Sequence, residues 1–420
     1  MNTEHSPRVL APLPPGVAPT VWERARGSRI WTADGRELID LTSGVLIANL
    51  GHSHPRVVDA IADQAGRLVA TFVAHHPWRV RYATKLLAAT NGAFEGVALA
   101  STGAEAVDAA VRVARAATRR RTVLSFVGGY HGKTTETVLL GGLPALRREA
   151  QRWAADSVLH MPFPREDPAA STAESAAEVE RIVDLATELA RATAPDDVAA
   201  VLVEPYLGAG GGVVPPSGFL DACRQLADRL GARLILDEVQ SGFGRTGPLF
   251  AFQTMARPPD LLVLAKGIAN GLPMAAVVGR ASDLAATGTG TLWGSYSGNP
   301  LACAAAEATL EALQEEVDPA RTATKGGELV ATIRSWGTPG VREVRGVGYS
   351  IGIELHGVSG PERAAAVVAA AADAGAVLLP PAGVNGSVLR VAPPLTASEE
   401  ELERGLTALR VALDGTTLSG

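Results

Sequence analysis

The stretch RLILDEVQSGFGRTGPLF, Arg233 to Phe250, decides the fold because three apolar residues are followed by two acids and a glycine-rich turn. The run Leu234-Ile235-Leu236 is short and β-compatible, so it predicts a buried strand. Asp237 and Glu238 then stand where a parallel strand leaves its sheet. A buried carboxylate is costly without a partner. Asp237 therefore predicts a cationic group at this edge.

Strand-like and helix-like segments alternate on both sides of this stretch. GVALAS leads into AEAVDAAVRVARAA, VAAVLVEP follows a long helix, and DLLVLAKG and MAAVVGR come later. This order predicts an α/β fold with a mostly parallel central sheet flanked by helices, and a ligand at the carboxyl ends of the strands. Beyond about residue 310 the pattern favours a smaller α+β domain.

We divide the chain into three parts on this basis. Residues 1–55 are predicted to form an N-terminal arm and part of the small domain. Residues 56–310 are the large, ligand-binding domain, and residues 311–420 are the C-terminal small domain.

Composition excludes several classes of protein. The 420 residues carry a net charge of −6 with acids and bases interspersed, so no basic face indicates nucleic acid. No basic-then-apolar signal pattern opens the sequence and no apolar run suits a membrane span. Only Cys223 and Cys303 are cysteines, which favours the reducing cytoplasm. His52 and His54 lack further ligands at metal-binding spacing, so we expect no metal site.

Lysine is rare in this chain, which has four: Lys85, Lys133, Lys266 and Lys325. Lys266 ends the apolar run DLLVLA, where a strand leaves the sheet. Burial lowers the pKa of a lysine and frees its amine to form a Schiff base. Lys85 and Lys325 stand in polar surroundings. Lys266 is therefore the candidate nucleophile.

Two further turns follow predicted strands, and each has two interpretations. In LASTGAEAVDAA, the helix start at Thr102 offers free N–H groups to an anion, or is an ordinary N-cap with Glu105 completing a capping box. In FVGGYHGKT, Tyr130 and His131 stand between glycines. Tyr130 either stacks on a flat ligand or packs within the protein.

Together these features describe one ligand: an aldehyde with a phosphate, a flat ring and a protonated ring nitrogen. Pyridoxal 5'-phosphate (PLP) has all of these groups. Asp237 would keep its ring nitrogen protonated, so that the ring can withdraw electrons from the substrate.

At this point the sequence resembles the class III aminotransferases, the family of 4-aminobutyrate, ornithine and acetylornithine aminotransferases. The resemblance runs from about Gly27 to Leu395. It rests on eight blocks in the family's order: DGRELIDLTSGVLIANLGHSHP, STGAEAVDAAVRVAR, GGYHGKT, VLVEPYLGAGGGVVPP, LILDEVQSGFGRTG, PDLLVLAKGIANGLP, GSYSGNPLACAAA and VLRVAPPL. Asp237 and Lys266 are 29 residues apart.

The resemblance implies the PLP-dependent fold type I and a role for each matching residue. Lys266 would carry the cofactor as a Schiff base and move the proton, and Asp237 would pair with the pyridine nitrogen. Val239 would pack on the ring face opposite Tyr130, and Gln240 would reach the 3′-oxygen. The cofactor contacts implied in full are Thr102, Gly103, Ala104, Tyr130, His131, Glu204, Asp237, Val239, Gln240, Lys266 and Ser295, with Gly103 and Ala104 giving N–H groups to the phosphate.

The resemblance also implies a partner and a substrate pocket. Ser295 and Tyr296 match positions whose hydroxyl reaches the phosphate of the neighbouring subunit, which implies a homodimer with shared active sites. Arg390 would grip a substrate carboxylate, and Glu204 matches an acid that in some members pairs with this arginine when an ω-amino substrate is bound. Lys133 stands where many members carry Arg. It keeps the charge but loses the bidentate fork. Val45, Phe72 and His75 fall in segments that line the substrate mouth in relatives.

Three functions remain open from the sequence. The first is an aminotransferase that moves an amino group from an amino acid, ω-amino acid or diamine to a 2-oxo acid. The second is a PLP enzyme of the same scaffold with another reaction: a decarboxylase, racemase, aminomutase or C–C bond-forming enzyme. The third is a non-catalytic module, which we would expect to lack Lys266 or to add a DNA-binding segment.

Overall fold

The computed structural model describes residues 20–152, 157–167, 169–357 and 359–416. Residues 1–19 of the predicted 1–55 segment therefore lie outside the described residues. None of the described helices combines the length and apolar character needed to cross a bilayer.

A seven-stranded sheet forms the centre of the molecule. Its strands are β4 (Gly96–Ala100), β5 (Thr122–Phe126), β6 (Val158–Met161), β7 (Val198–Val203), β8 (Arg233–Asp237), β9 (Leu261–Leu264) and β10 (Ala275–Gly279), in the spatial order β4-β10-β9-β8-β7-β5-β6. Strands β6, β5, β7, β8 and β9 pair in parallel, whereas β10 runs antiparallel to both β9 and β4. The prediction of a mostly parallel sheet is confirmed.

Helices cover both faces of this sheet because its strands are apolar on both sides. In β8, Leu234 and Leu236 belong to one hydrophobic core, whereas Ile235 between them belongs to the other. The surrounding helices are α2 (Pro55–Ala65), α3 (Pro77–Ala89), α4 (Gly103–Thr118), α5 (Thr135–Leu140), α6 (Pro144–Ala150), α7 (Thr172–Thr193), α8 (Phe219–Leu230), α9 (Ala281–Ala285) and α10 (Pro300–Glu316), with 3-10 turns at Ala251–Thr254 and Lys266–Ala269.

Two smaller sheets share a third core. One has the order β1-β2-β3-β13 and the other β11-β12-β14. Their strands are β1 (Trp22–Arg26), β2 (Arg29–Thr32), β3 (Glu37–Asp40), β11 (Val341–Val347), β12 (Ser350–Leu355), β13 (Ala376–Val377) and β14 (Val388–Val391), and the accompanying helices are α1 (Ser43–Leu46), α11 (Pro319–Ser335), α12 (Gly360–Ala374) and α13 (Glu399–Gly415). Strands β2 and β3 pair antiparallel on either side of Asp34-Gly35.

The division into domains stays a prediction. Ile39 and Leu41 share a core with Val391, so the N-terminal strands pack with the C-terminal part of the chain. The predicted boundary at residue 310 falls inside the continuous helix α10.

Candidate active site

The carboxyl ends of three neighbouring parallel strands converge on one cavity. Strand β7 is followed by Glu204, β8 ends at Asp237, and β9 is followed by Ala265 and Lys266. Because β7, β8 and β9 are adjacent and parallel, these side chains meet at one sheet edge. The cavity measures ≈ 400 Å³ and is lined by Ile47, Ser101, Thr102, Gly103, Ala104, Tyr130, His131, Gly132, Lys133, Glu204, Asp237, Val239, Gln240, Ala265, Lys266, Gly271, Leu272, Pro273 and Met274.

Lys266 is held in a state that suits a nucleophile. Burial lowers the pKa of its amine to about 7, helped by the charge of Arg390 and opposed by those of Asp237 and Glu204. Its φ of 46° lies in the left-handed region that a non-glycine residue occupies at a cost. Among the described residues its amine has no hydrogen-bond partner, so it is available to react.

Within the protein, Asp237 is paired with His131, whereas the cationic group predicted from the sequence is the ring nitrogen of the cofactor. The imidazole Nδ1 lies 2.7 Å from Asp237 Oδ2, and both side chains are buried. Burial lowers the pKa of His131, but the hydrogen bond to Asp237 and the charges of Asp237 and Glu204 outweigh it, so this pKa is raised. Asp237 Oδ1 accepts the Val239 N–H at 3.0 Å. Each oxygen keeps a further lone pair for a ligand in the cavity.

Glu204 is the second buried acid of the cavity. It accepts the backbone N–H of Tyr130 at 2.8 Å and that of Gly208 at 3.4 Å. Burial, opposed by the charge of His131, raises the pKa of Glu204 to about 7. Glu204 therefore changes charge near neutral pH, next to the turn that carries Tyr130.

The start of α4 contains the capping box and is compatible with the anion site, which stays a prediction. The capping box is present, because Thr102 accepts the Glu105 N–H at 3.2 Å and Glu105 accepts the N–H groups of Ser101 and Thr102. Within the described ranges, the N–H groups of Gly103 and Ala104 have no acceptor. Both residues line the cavity, so these N–H groups are available to an anion there.

These residues fit PLP. The open N–H groups of Gly103 and Ala104 suit its phosphate, and the unpaired Lys266 amine suits its aldehyde. The buried Oε1 of Gln240 has no partner among the described residues, as expected of a group reserved for a ligand. A Cβ on Gly103 would come within 3.1 Å of Val239 Cγ1, so glycine leaves the room that a ring over Val239 needs.

Six candidate residues lie outside the cavity lining: Arg390, Ser295, Tyr296, Val45, Phe72 and His75. Arg390, on β14, is close enough to Tyr130, Glu204 and Lys266 to affect their electrostatics. Its Nε has no partner in the described part of the chain. Ser295 and Tyr296 are exposed to solvent, and Val45 is exposed two residues before Ile47.

Sequence reasoning missed part of the site. Ile47 and Leu272 to Met274 line the cavity, yet nothing in their residue types indicates a ligand. Glu238, adjacent to Asp237, turns away and accepts the N–H groups of Ala251 and Phe252 at 2.7 and 2.8 Å. Burial raises the pKa of Glu238 to about 7.

In the described residues no cluster of three or more His, Cys, Asp or Glu could hold a metal ion.

Comparisons with known proteins agree with this geometry. The family model described as aminotransferase class-III matches residues 14–413. The chain is 38% identical to the 5-aminovalerate aminotransferase of Pseudomonas putida KT2440 over 96% of both chains. It is 37% identical to the 2-aminoadipate transaminase of the same strain, over 94% of this chain and 96% of that protein. An amine transaminase from an uncultivated Pseudomonas species, solved with PLP bound, superposes with a TM-score of 0.88 at 27% identity, covering 98% of this chain and 99% of that one.

A lysine and an acid at the carboxyl edge of a mostly parallel sheet, with an open helix N-terminus beside them, define a PLP-dependent enzyme of fold type I. The chain belongs to the class III aminotransferases. It is therefore an enzyme that transfers amino groups with PLP as its cofactor. Of the three functions open from the sequence, amino transfer is the one that the comparisons support.

Proposed function

We propose that this enzyme takes the amino group from an ω-amino acid and gives it to a 2-oxo acid such as 2-oxoglutarate or pyruvate. The observation that carries this proposal is the presence of two separate cationic side chains around the Lys266 amine. Lys133 is on the exposed wall of the cavity, and Arg390 lies beside Glu204. One relative, the 5-aminovalerate aminotransferase of Pseudomonas putida, is named for an ω-amino acid donor of this type.

The two cations would serve the two half-reactions. A donor whose amino carbon bears no carboxylate would extend its distal carboxylate to Lys133, while the ionised form of Glu204 neutralises Arg390. An oxo acid bears its carboxylate next to the reacting carbon and would bind Arg390 itself, with Glu204 turned aside or protonated. The pKa of Glu204, about 7, makes both states accessible near neutral pH.

The remaining residues would hold and assist the cofactor. PLP, when bound, supplies the electron sink that stabilises negative charge on the substrate carbon. Asp237, positioned by His131, would keep the ring nitrogen protonated. Gly103 and Ala104 would bind the phosphate, Gln240 the 3′-oxygen, and Tyr130 and Val239 the two ring faces. The neutral Lys266 amine would move the proton at the substrate carbon, because its lowered pKa leaves it a base at neutral pH.

We also propose a homodimer that completes the site. Large apolar side chains are exposed on two segments joined through Arg79, which donates to the carbonyls of Phe72 at 3.0 Å and Ser297 at 3.2 Å. Several large apolar side chains exposed on linked segments favour a protein partner. The exposed members are Val69, Phe72, Val73, Trp293 and Tyr296. Ser295 lies in the second segment, exposed, and would reach the phosphate bound by a second copy.

The cellular location that we propose is the cytoplasm. Cys223 and Cys303 are both free thiols, and both are buried. A protein with two unpaired thiols and no disulfide between them suits a reducing compartment.

A single-turnover experiment tests the proposed donor. The holoenzyme is mixed with 5-aminovalerate without an oxo acid, and the aldehyde product is counted. We expect about one product molecule per subunit, and further product only when 2-oxoglutarate is added. In steady-state turnover with 2-oxoglutarate, Lys133→Gln should raise the KM for 5-aminovalerate about tenfold, as expected for a lost charged contact. Lys325→Gln is the matched control, since Lys325 pairs with Glu399 outside the cavity. Carbon dioxide release, or no product from any ω-amino acid, would rule out the proposal.

A further inference from the structure

Arg390 shares a row of the small sheet with a second buried arginine. Arg345 on β11 pairs with Gly352 on β12, and Gly352 pairs with Arg390 on β14. Residues directly opposite each other in antiparallel strands project from the same face. Arg345 and Arg390 therefore flank Gly352 on one face of the sheet.

The space above Gly352 is filled by Gly208–Gly212, which we call the glycine tip. A Cβ on Gly352 would come within 2.5 Å of the Gly211 carbonyl oxygen, and one on Gly212 within 3.2 Å of the Gly352 nitrogen. The main chains of the tip and of β12 are therefore in direct contact. Only glycine permits this approach.

Arg345 fastens the glycine tip in this position. Its Nε donates to the Gly211 carbonyl at 3.0 Å, while its Nη1 donates to Glu343 and Glu354, each at 2.5 Å. The two carboxylates hold one end of the planar guanidinium, so its Nε stays directed at the Gly211 carbonyl. The side chain of Arg345 is buried, so water competes little for the Gly211 carbonyl.

The other side of the glycine tip belongs to the catalytic cavity. The Gly208 N–H donates to Glu204 at 3.4 Å. A Cβ on Gly210 would come within 2.6 Å of the Gly128 carbonyl oxygen, two residues before Tyr130. The glycine tip therefore lies between the turn that carries Tyr130 and the cross-strand row of the small sheet that carries Arg390.

We propose that Arg345 is a positioning residue for recognition of the carboxylate next to the reacting carbon. By holding the glycine tip on Gly352, it fixes the separation between Glu204 and Arg390. This inference rests on the role of Arg390 in the proposed function. Without Arg345 the tip moves away from the sheet. The separation between Glu204 and Arg390 is then no longer fixed, so Glu204 does not pair with Arg390 and release it in the correct geometry.

The test compares two amino donors in single half-reactions of the holoenzyme, without an oxo acid, and KM here denotes the donor concentration that gives half of the maximal half-reaction rate. L-glutamate has a carboxylate on the amino carbon and 5-aminovalerate does not. We expect Arg345→Gln to raise the KM for L-glutamate about tenfold and to change that for 5-aminovalerate less than about twofold. Arg345→Lys should restore part of the loss, because it keeps the charge but not the fork.

Two further variants guard against a general loss of structure. Gly352→Ala keeps Arg345 but displaces the tip, and should raise the KM for L-glutamate selectively as well. Arg342→Gln is the matched control: Arg342 is on the same strand and pairs with the same Glu354 at 3.1 Å, but is exposed. It should behave as the wild type. If Arg345→Gln fails to fold, Gly352→Ala decides the question.

Arg390→Gln separates failure of this inference from failure of the proposed function. If Arg390→Gln loses selectivity for L-glutamate while Arg345→Gln and Gly352→Ala keep it, the positioning role of Arg345 is refuted and the role of Arg390 stands. If Arg390→Gln also keeps the wild-type selectivity, both are refuted. An equal loss for both donors in Arg345→Gln and Gly352→Ala would reduce Arg345 to a purely structural residue.

Discussion

The lowered pKa of Lys266 predicts how fast the cofactor-free protein captures an aldehyde at each pH. With a pKa of about 7, roughly half of the Lys266 amines are neutral at pH 7. An ordinary lysine with a pKa of 10.5 is neutral in about one molecule in 3,000 at that pH. Only the neutral amine attacks an aldehyde. Capture should therefore accelerate about tenfold per pH unit below pH 7 and level off above it.

The assay follows covalent attachment of pyridoxal by absorbance between about pH 5.5 and 9. Pyridoxal replaces PLP because the phosphate group titrates near pH 6 and would distort the profile. Lys266→Ala provides the blank, since it keeps the other three lysines of the chain. The charge of Arg390 is the second cause of the lowered pKa, so Arg390→Gln should move the midpoint to higher pH.

The result that refutes this reasoning is a rate that continues to climb through pH 9 in the wild type. It would mean that Lys266 is solvated in the cofactor-free protein and titrates like an ordinary lysine. A plateau that survives in Lys266→Ala would instead show that the signal comes from another group.

Two further predictions concern the cofactor pocket. His131→Phe removes one partner of a buried pair and should lower the free energy of unfolding of the cofactor-free protein by about 3–5 kcal/mol at pH 6. Because the folded-state pKa of His131 is raised above 6.5, this contribution is complete below that pH and declines as pH rises through the folded value. Denaturant unfolding at pH 9 should show a smaller loss, and equal losses at both pH values would contradict the pairing. Gly103→Ala places a Cβ within 3.1 Å of Val239 Cγ1 and should weaken PLP binding about tenfold in a titration. Unchanged affinity would mean that the ring does not lie over Val239.

The sequence predicted those residues of the candidate site that stand at the ends of strands. Asp237 and Lys266 each follow an apolar run of strand length, and parallel strands deliver their carboxyl ends to the same edge. Local pattern is enough to predict such convergence. The helix start at Thr102 likewise shows its capping box in four consecutive positions, and the structure contains it.

Long-range partners could not be predicted in this way. Asp237 pairs with His131, 106 positions earlier in the chain, whereas the neighbouring Glu238 caps the turn at Ala251 and Phe252. Arg245 is fully buried and donates to Tyr349, Pro393, Ser43 and Asn49, all distant in sequence. Nothing in its glycine-rich turn distinguishes it from a surface arginine.

The sequence by itself determined the family, the parallel sheet and the two residues central to the chemistry, because alternation of strands and helices and the residue at each strand end are local properties. Only the tertiary structure decided which polar groups meet. Adjacent residues leave a strand toward opposite faces, and what each then contacts depends on how distant segments pack. The link from Arg345 through the glycine tip to Glu204 exists only because segments more than 130 positions apart in the chain pack against the same five residues.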